Sequence, residues 1–481
     1  MFESIKNFIK GVINKLFNKN LIESKANVNI AVSADMSNAI DLWSKLYMDE
    51  APWVNNKTVF SMNNAAGIAS EFARLVTLEF KSEISNNEFL NREYQAVIDN
   101  IRNYTELACA MGGLAFKPYL SGNHIEVDMT QATSFFPTAY NSRGDITGAI
   151  FIETKTVGDY IYTRLEYHNL TPDGYLIKNL AFKKKNLNQI NNSYNNQTLG
   201  QEVSLTEIEE WAELEPEVTI QNIDRPLFAY FKMPLANVID PSSPLGVSVY
   251  SRVSKNLLKK ADEQYSRIDW EYRGSELGID IDESMISKDD NGNPILPQGK
   301  ERLYRKLLID PTSTGTSQWN VFSPAIRDTS LYNGLQHDLR TIEFQCGLAY
   351  GTLSDPNETD KTAEEIKSSK QRSYQTVKDI QKSLQNALEG LAYAMSVWGQ
   401  LGNLGVSPID TEKDMSFDFD DSIVVDKEKE LASMQADVAS GLLRPEIYVA
   451  KKYGVSEEEA LKMMPDLSTT IKPSPFDGTT E

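Results

Sequence analysis

The chain has 481 residues, of which 41% are hydrophobic, 24% charged and 10% aromatic, the proportions of an ordinary globular protein with enough length for two to four domains' worth of core. No window reaches the roughly 18 to 20 uninterrupted apolar residues that a transmembrane helix needs, and the start lacks the compact apolar core of a secretory signal, so a soluble product made in the cytosol is expected. With 68 Asp and Glu against 48 Lys and Arg, the net charge of −20 is the opposite of the basic footprint of a sequence-reading DNA binder.

That objection weakens for a protein past which DNA must slide, because every cation that neutralises a phosphate adds affinity through counterion release. The charge is also uneven. Residues 406–481 carry 17 acidic and 8 basic side chains, a net of −9, whereas residues 1–20 carry +3. The two cysteines, Cys109 and Cys346, lie far apart, which fits a reducing compartment, offers no disulfide framework, and leads us to expect two buried thiols.

In chain order, MFESIKNFIKGVINKLFNKN has the period of a basic amphipathic helix, with Phe2, Ile5, Ile9, Val12, Ile13, Leu16 and Phe17 set among Lys6, Lys10, Lys15 and Lys19. It reads as an arm packing on a neighbouring protein or subunit, a membrane-surface helix being the alternative. From Met36 to about Arg102 the pattern is helical; Ile68, Phe72, Leu75, Val76 and Phe80 mark one core face. Between Ala115 and Phe182 the runs HIEVDM, GAIFIETKTV and YIYTRLEYHNL, broken by turn signals at 141–144 and 172–174, predict an antiparallel sheet. The tract KKKNLNQINNSYNNQTLGQ from Lys183 has too little apolar surface to offset ordering entropy and reads as a mobile loop.

Two long helices then flank an irregular insertion. At 100° per residue from Arg252, the residues Val253, Leu257, Ala261, Tyr265, Ile268 and Tyr272 share one side. Arg252, Lys255, Lys259, Arg267 and Arg273 share the opposite one, with Glu263 and Trp270 among them. A helix of about 25 residues would span roughly 38 Å. Residues 275–327 are turn-rich and β-prone, with an Asn291-Gly292 hairpin signal and Pro294, Pro297, Pro311 and Pro324 as punctuation. A second helical run starts near Asp328, with Leu331, Leu335, Leu339, Ile342 and Cys346 on one stripe.

GTLSDPNETDK is a loop, barred from helix by Pro356. Thr362 and Glu365 then match a capping box that opens a helical run to about Trp398, near 37 residues and long enough to imply a bend or an extended scaffold helix. MSFDFDDSIVV alternates like a strand with an acidic outer face, short helices follow, one opened by a second box at Ser456 to Glu459, and the tail after Pro465 reads as disordered.

Enzyme chemistry needs a constellation, and the sequence offers none. His124, His168 and His337 stand in separate segments without partners at metal-ligand or triad spacing and read as surface or hydrogen-bonded structural residues. There is no phosphate-binding GxxxxGK[ST] loop or dinucleotide glycine pattern. Asp418, Asp420 and Asp421 fit a strand's outer face better than a divalent-metal site, and DDNG at 289–292 lacks the downstream ligands of a calcium loop. No catalytic residue, cofactor or metal is expected.

The order of features, together with Ala51-Pro52-Trp53, FARLVTLEF, MGGLAFKPYL, SPLGVSVY, Pro324-Ala-Ile-Arg327 and KTAEEIKSSKQRSYQTVKDIQ, resembles the portal proteins of tailed bacteriophages over about residues 30–465, and more closely the branch found in phages of Gram-positive bacteria. The weight lies in the number and order of these stretches; no single one is diagnostic. The resemblance implies an α+β portal fold: an arm at 1–30, a wing at 31–247, a first stem helix at 248–274 and a clip at 275–327. A second stem helix at 328–349, a channel loop at 350–362, a long wing helix at 363–405, a wing strand with helical crown at 406–465 and a tail at 466–481 complete it.

It further implies a homo-oligomeric ring, usually of twelve subunits, at one vertex of the virion capsid. Double-stranded DNA would pass through non-specifically during packaging and ejection. The implied partners are the terminase large subunit, a head-tail adaptor, and the major capsid and scaffolding proteins, with no membrane. Arg252, Lys255, Lys259 and Arg267, with Asp355, Asn357 and Lys361 of the loop, are the candidate channel-facing residues; intersubunit salt bridging is the equal alternative for the four helix cations. Asp290, Asn291, Arg302 and Arg305 are the candidate docking residues of the clip. Asp355, Glu358 and Asp360 against Lys361 predict a mobile collar that repels phosphate. The rival readings are a non-channel minor head or tail protein and, from another class, a DNA-processing enzyme such as a nuclease, or a maturation protease.

Overall fold

The computed structural model describes residues 19–186, 198–282, 286–292, 295, 303–307, 319–356, 363–419, 427–453 and 457–464, with backbone alone in parts of the later helices and of the strands between 304 and 319. The arm before residue 19, the tail after 464 and the openings of both capping boxes, Thr362 and Ser456, fall outside these residues. The chain is mixed helix and sheet and forms two compact units, residues 1–419 and 420–481.

The first unit begins with α1 (Lys19–Ala26), α2 (Ala34–Tyr47) and α3 (Asn64–Val76). Then come β1 (Lys81–Ile84), α4 (Glu88–Ile98) and α5 (Ile101–Met111). Caps set several of these starts: Ser33 accepts from Met36 N–H at 3.2 Å and Asn87 from Leu90 N–H at 2.9 Å, each satisfying a backbone donor that the first helical turn leaves orphaned. Ile68, Phe72 and Val76 are fully buried, as the period of IASEFARLVTLEF predicts. The four-residue β1 interrupts the helical pattern. It pairs antiparallel with a strand more than 300 residues later, a partner that local periodicity cannot reveal.

The predicted single sheet is two. Strands β2 (Gly113–Ser121) and β3 (His124–Gln131) form a hairpin, and β4 (Phe135–Tyr140), β5 (Ile146–Val157), β6 (Tyr160–Thr171) and β7 (Gly174–Lys185) form a meander. The meander is extended by β8 (Gln201–Val203) and by β9 (Glu217–Ile220), both on β7; β10 (Ala229–Lys232) returns to the other side of β2. Lys183 and Lys184, expected in a loop, lie inside β7, where Lys183 meets Glu207 at 2.8 Å and lies 4.7 Å from the Tyr160 ring centroid. Alternation on a half-buried face wins there over local polarity. Residues 187–197 of the same tract lie outside the described residues.

After β10 come α6 (Leu257–Gly274), a small sheet of β11 (Gly278–Asp282), β12 (Tyr304–Leu307) and β13 (Trp319–Phe322), and α7 (Asp328–Cys346). Helix α8 (Ala363–Leu401) runs 39 residues, roughly 58 Å at 1.5 Å per residue, and buries Ile380, Leu384, Leu388, Leu391 and Met395. Strand β14 (Met415–Asp418) pairs with β1 and ends the first unit. The second unit contains α9 (Lys427–Ala439), α10 (Pro445–Tyr453) and α11 (Glu457–Met463), with Arg444 paired to a buried Glu446 and Ala460 in its centre. The two thiols are buried as expected, and burial pushes that of Cys346 up to about 12.

One face of the meander carries charge into the interior. Registry places Glu153 beside Arg164 and Glu166 beside Asn179. Arg164 holds Glu153 at 2.8 Å, Glu166 at 3.1 Å and Asn179 Oδ1 at 3.2 Å, while Lys117 reaches across from β2 to Glu166 and to Asp128, at 3.5 Å. His168, 1% exposed, meets Glu166 at 3.0 Å and Tyr175 Oη at 2.8 Å. This network joins the two sheets. A carboxylate so placed is retained only because cations and donors replace its water.

Burial disfavours the charged form of Glu166, but Lys117, Arg164 and the His168 hydrogen bond outweigh it and hold the carboxyl well below its ordinary 4.5. For His168, burial depresses the imidazole from 6.5 and the pairing with Glu166 only partly restores it. Both folded values lie below the unfolded ones, so each contribution to stability is complete above the unfolded value and is lost as the pH falls through the folded one. The thermal midpoint should therefore decline below about pH 6.5 and again below about pH 4.5. In His168→Gln the upper decline should vanish, as melting curves between pH 8 and 4 would show; an unchanged slope between 6.5 and 5 would remove His168 as its origin.

Candidate functional site

The predicted helix of about 25 residues is shorter at its start. Residues 248–256 form a chain of turns, with Ser251 N–H to Ser248 O at 2.9 Å and Val253 N–H to Tyr250 O at 3.1 Å, and α6 begins only at Leu257. The reason is anchoring: Ser248 Oγ and Val249 N–H both donate to Cys109 O, at 3.3 and 3.0 Å, and Tyr250 Oη donates to Trp43 O at 2.9 Å. Two valines and three serines among residues 248–254 also oppose a helix. Eighteen residues give α6 a length of roughly 27 Å.

Polar groups fasten α6 on two sides. Asp262 accepts Trp53 Nε1–H at 2.8 Å and Met62 N–H at 2.9 Å, and Ser266 Oγ accepts Phe60 N–H at 2.8 Å. Toward α7 the contacts run antiparallel. Lys260 meets Asp338 at 2.7 Å, Gln264 donates to Leu331 O at 2.9 Å, and Glu271 receives Arg327 from both backbone and guanidinium at 2.8 to 3.1 Å. The stripe read as apolar is accordingly mixed: Val253 and Ala261 are buried, but Tyr265 and Tyr272 are 42% and 50% exposed, and Trp270, read on the opposite side, is 69% exposed.

Between the helices, β11 pairs parallel with β12 and antiparallel with β13. The hairpin signal is met: Gly292 N–H bonds Asp289 O at 2.9 Å, Ile295 N–H bonds Ser287 O at 2.7 Å, and Gly292 takes a φ of 82°, a conformation glycine adopts without penalty. Asp290 and Asn291 stand exposed on this turn. Arg305 instead pairs with Asp280 at 2.8 Å and lies 4.3 Å from the Phe322 ring centroid, so part of its capacity is used within the sheet. Arg302 lies outside the described residues.

Helix α7 ends at Gly347, and the loop after it is not slack where described. Glu343, fully buried, accepts the N–H groups of Gly351, Leu353 and Ser354 at 3.1, 2.6 and 2.9 Å through Oε1 and the Ser354 hydroxyl at 2.9 Å through Oε2. Gln336 takes Asp355 N–H at 2.6 Å. The expected mobile collar is thus pinned through Asp355; Asn357 and Lys361 lie outside the described residues. Beside the pinned stretch, a cavity of about 270 Å³ is lined by His337, Arg340, Thr341, Phe344 and Tyr350, and the Arg372 guanidinium lies 4.5 Å from the Phe344 ring centroid. This end of α7 therefore carries cations that a reading of the acidic loop alone omits.

Of the four helix cations, Arg252 stands on the turns before α6, and Lys255, Lys259 and Arg267 are exposed. Lys259 lies 3.7 Å from Glu263 and Arg267 3.4 Å from Gln264 Oε1. All four are exposed among the described residues. Asp262, Ser266, Glu271, Asp338 and Glu343 went unseen in sequence; their signal is a polar residue set within an otherwise core-facing helical stripe. Among the described residues no cluster of three His, Cys, Asp or Glu side chains could hold a metal ion, and no helix is long and apolar enough to cross a membrane.

No protein-family profile matches the chain, and no curated protein matches it. A solved structure described as the neck of a native GTA particle computed with C12 symmetry is similar at 11% identity and a TM-score of 0.41, over 82% of this chain and 91% of that one. At that level it assigns this chain neither a fold family nor a function.

Removing the Glu343 carboxylate leaves three backbone donors and a hydroxyl without their acceptor, a cost of about 2 kcal/mol or more. Glu343→Ala should therefore speed hydrogen exchange at the Leu353 and Ser354 amides by about 30-fold, with Glu343→Gln intermediate. Unchanged exchange would show that the loop is held by something else.

Proposed function

We propose that this chain is the ring-forming portal subunit of a tailed-phage head, a conduit for double-stranded DNA with no catalytic step of its own. The observation that carries the reading is the antiparallel pair α6 and α7, joined at one end through a small sheet and followed at the other by a loop fixed to α7. A wall built from such pairs is stiff along its length, because each helix is tied to its partner by Lys260–Asp338 and Glu271–Arg327. The sequence stretches that resemble the portal family support the same reading, including its branch in phages of Gram-positive bacteria.

In this reading the exposed Tyr265, Trp270 and Tyr272 meet the next subunit through a head-to-tail, closing interface. Arg252, Lys255, Lys259 and Arg267 face DNA or the neighbour's carboxylates, and Arg340 and Arg372 supply positive potential near the loop. Terminase, adaptor, capsid and scaffolding proteins are the partners, Asp290 and Asn291 lie toward the docking end, and ATP hydrolysis belongs to the motor.

Native mass spectrometry and negative-stain imaging of the purified chain should give a closed ring with a central hole, twelve subunits being the expected number. A monomer under every condition would sink the proposal. Trp270→Glu should impair ring closure while leaving the subunit's melting temperature within a few degrees of the parent. Replacing Arg252, Lys255, Lys259 and Arg267 together by Gln distinguishes their two roles: rings that assemble but package DNA abnormally place the cations at the lumen, and loss of rings places them at the subunit contact.

A further inference from the structure

The network that joins the two sheets borders a space of its own. Strand β3 is the edge of its sheet, and between that strand, α5 and strand β5 lies a cavity of about 300 Å³. Its apolar wall is Tyr104, Leu107, Val127, Met129 and Phe151. That volume is at the small end of ligand-binding pockets, the size of a fragment or one long side chain.

Its polar wall is unbalanced toward acceptors. The cations Lys117, Arg164 and Lys155 face four carboxylates, Asp128, Glu153, Glu166 and Glu210, with Lys155 at 3.5 Å from Glu153 and 3.0 Å from Glu210. His168, which touches Glu166, is held toward its neutral form by burial. One negative charge is therefore left over. It is best assigned to Asp128, whose ion-pair partner, Lys117 at 3.5 Å, is shared with Glu166, and whose side chain is half exposed at the mouth.

A second observation does not depend on charge. Ser134 lines the cavity at 4% exposure. Gln131, also in the lining, has a buried Oε1 without a donor. Buried polar atoms are normally paired, and one in the wall of a cavity that lacks a partner marks a place for a polar ligand.

From these features we propose that the cavity binds a small organic monocation, an ammonium or guanidinium group on an apolar stem. The head offers N–H donors to Asp128 and to the vacant acceptor Gln131 Oε1, and the stem lies along Leu107, Met129 and Phe151. A free amine and a lysine or arginine side chain of another polypeptide present the same chemistry. The site stands apart from α6, α7 and their loop, so it does not depend on the portal reading.

The full-length chain would be titrated calorimetrically, and by saturation-transfer NMR, with three probes. Phenethylammonium stands for a free amine, N-acetyl-lysine methylamide for a side chain, and 3-phenylpropionate for an anion of the same shape. The expected result is saturable binding of at least one cation, no saturable binding of the anion, and at least a tenfold weakening in Asp128→Asn. Tighter binding of the lysine derivative assigns the natural ligand to a polypeptide, tighter binding of phenethylammonium to a free amine. The proposal is overturned if neither cation saturates, if the anion binds as well, or if folded Asp128→Asn binds unchanged. The comparison of cation with anion on the parent chain decides the matter even where that variant does not fold.

Discussion

Gly112 and Gly246 meet backbone to backbone, and the placement of the helix pair follows from that contact. A Cβ on Gly112 would fall 2.6 Å from Gly246 O, and one on Gly246 only 2.2 Å from Gly112 O. With no side chain between them, the strand end after β10 and the end of α5 approach closely enough for Met233 N–H to reach Gly112 O at 3.0 Å and Val249 N–H to reach Cys109 O at 3.0 Å. Val247, Val249, Tyr250 and Val253 are then sunk in the core. Helix α6 begins where this anchor ends, so its origin is set by the body it leaves.

Beyond the anchor, polar contacts set the register that apolar ones leave open. Leu and Ala faces slide past one another at little cost, whereas Asp262 finds Trp53 Nε1 and Met62 N–H in only one alignment. The same holds for Lys260 with Asp338 and for Arg327 with Glu271. Such buried or half-buried ionic contacts add little net stability over an apolar replacement, yet breaking one strands a charge, so misaligned packings are penalised. Glu343 extends this logic from helix to loop, exchanging water for three amides and one hydroxyl.

How much of this is legible in sequence depends on how far each cause reaches along the chain. Periodicity is local, and it places α3, the meander strands, α7 and the long α8 within a few residues. It fails where a distant partner decides: β1 waits for β14, and residues 248–256 give up helix for contacts with Cys109 and Trp43. Hydrophobicity misplaces Tyr265 and Tyr272 because a helical wheel ranks side chains by kind and cannot tell a core from an unpartnered surface. The cations on α6 were visible, but the acids and serine that orient the helix were not, since a polar residue inside an apolar stripe has meaning only beside the donor it receives. The acidic loop shows the same limit: its carboxylates are adjacent in sequence, while Arg340 and Arg372 arrive from two separate helices.

The formal charge of −20 can now be divided by location. Glu166, Asp262, Glu271, Asp338 and Glu343 are engaged inside the fold, where hydrogen bonds and cations neutralise their field. A count of acidic residues therefore overstates the repulsion that a passing anion would meet. Arg252, Lys255, Lys259 and Arg267 are exposed and dispersed along the α6 region, and Lys259 shares its charge with Glu263. Because each neutralised phosphate strengthens binding through counterion release, in the proposed ring a few dispersed cations on each subunit would steer a duplex without a deep energy minimum at any one depth. Low affinity at each position is what lets a charged polymer keep moving.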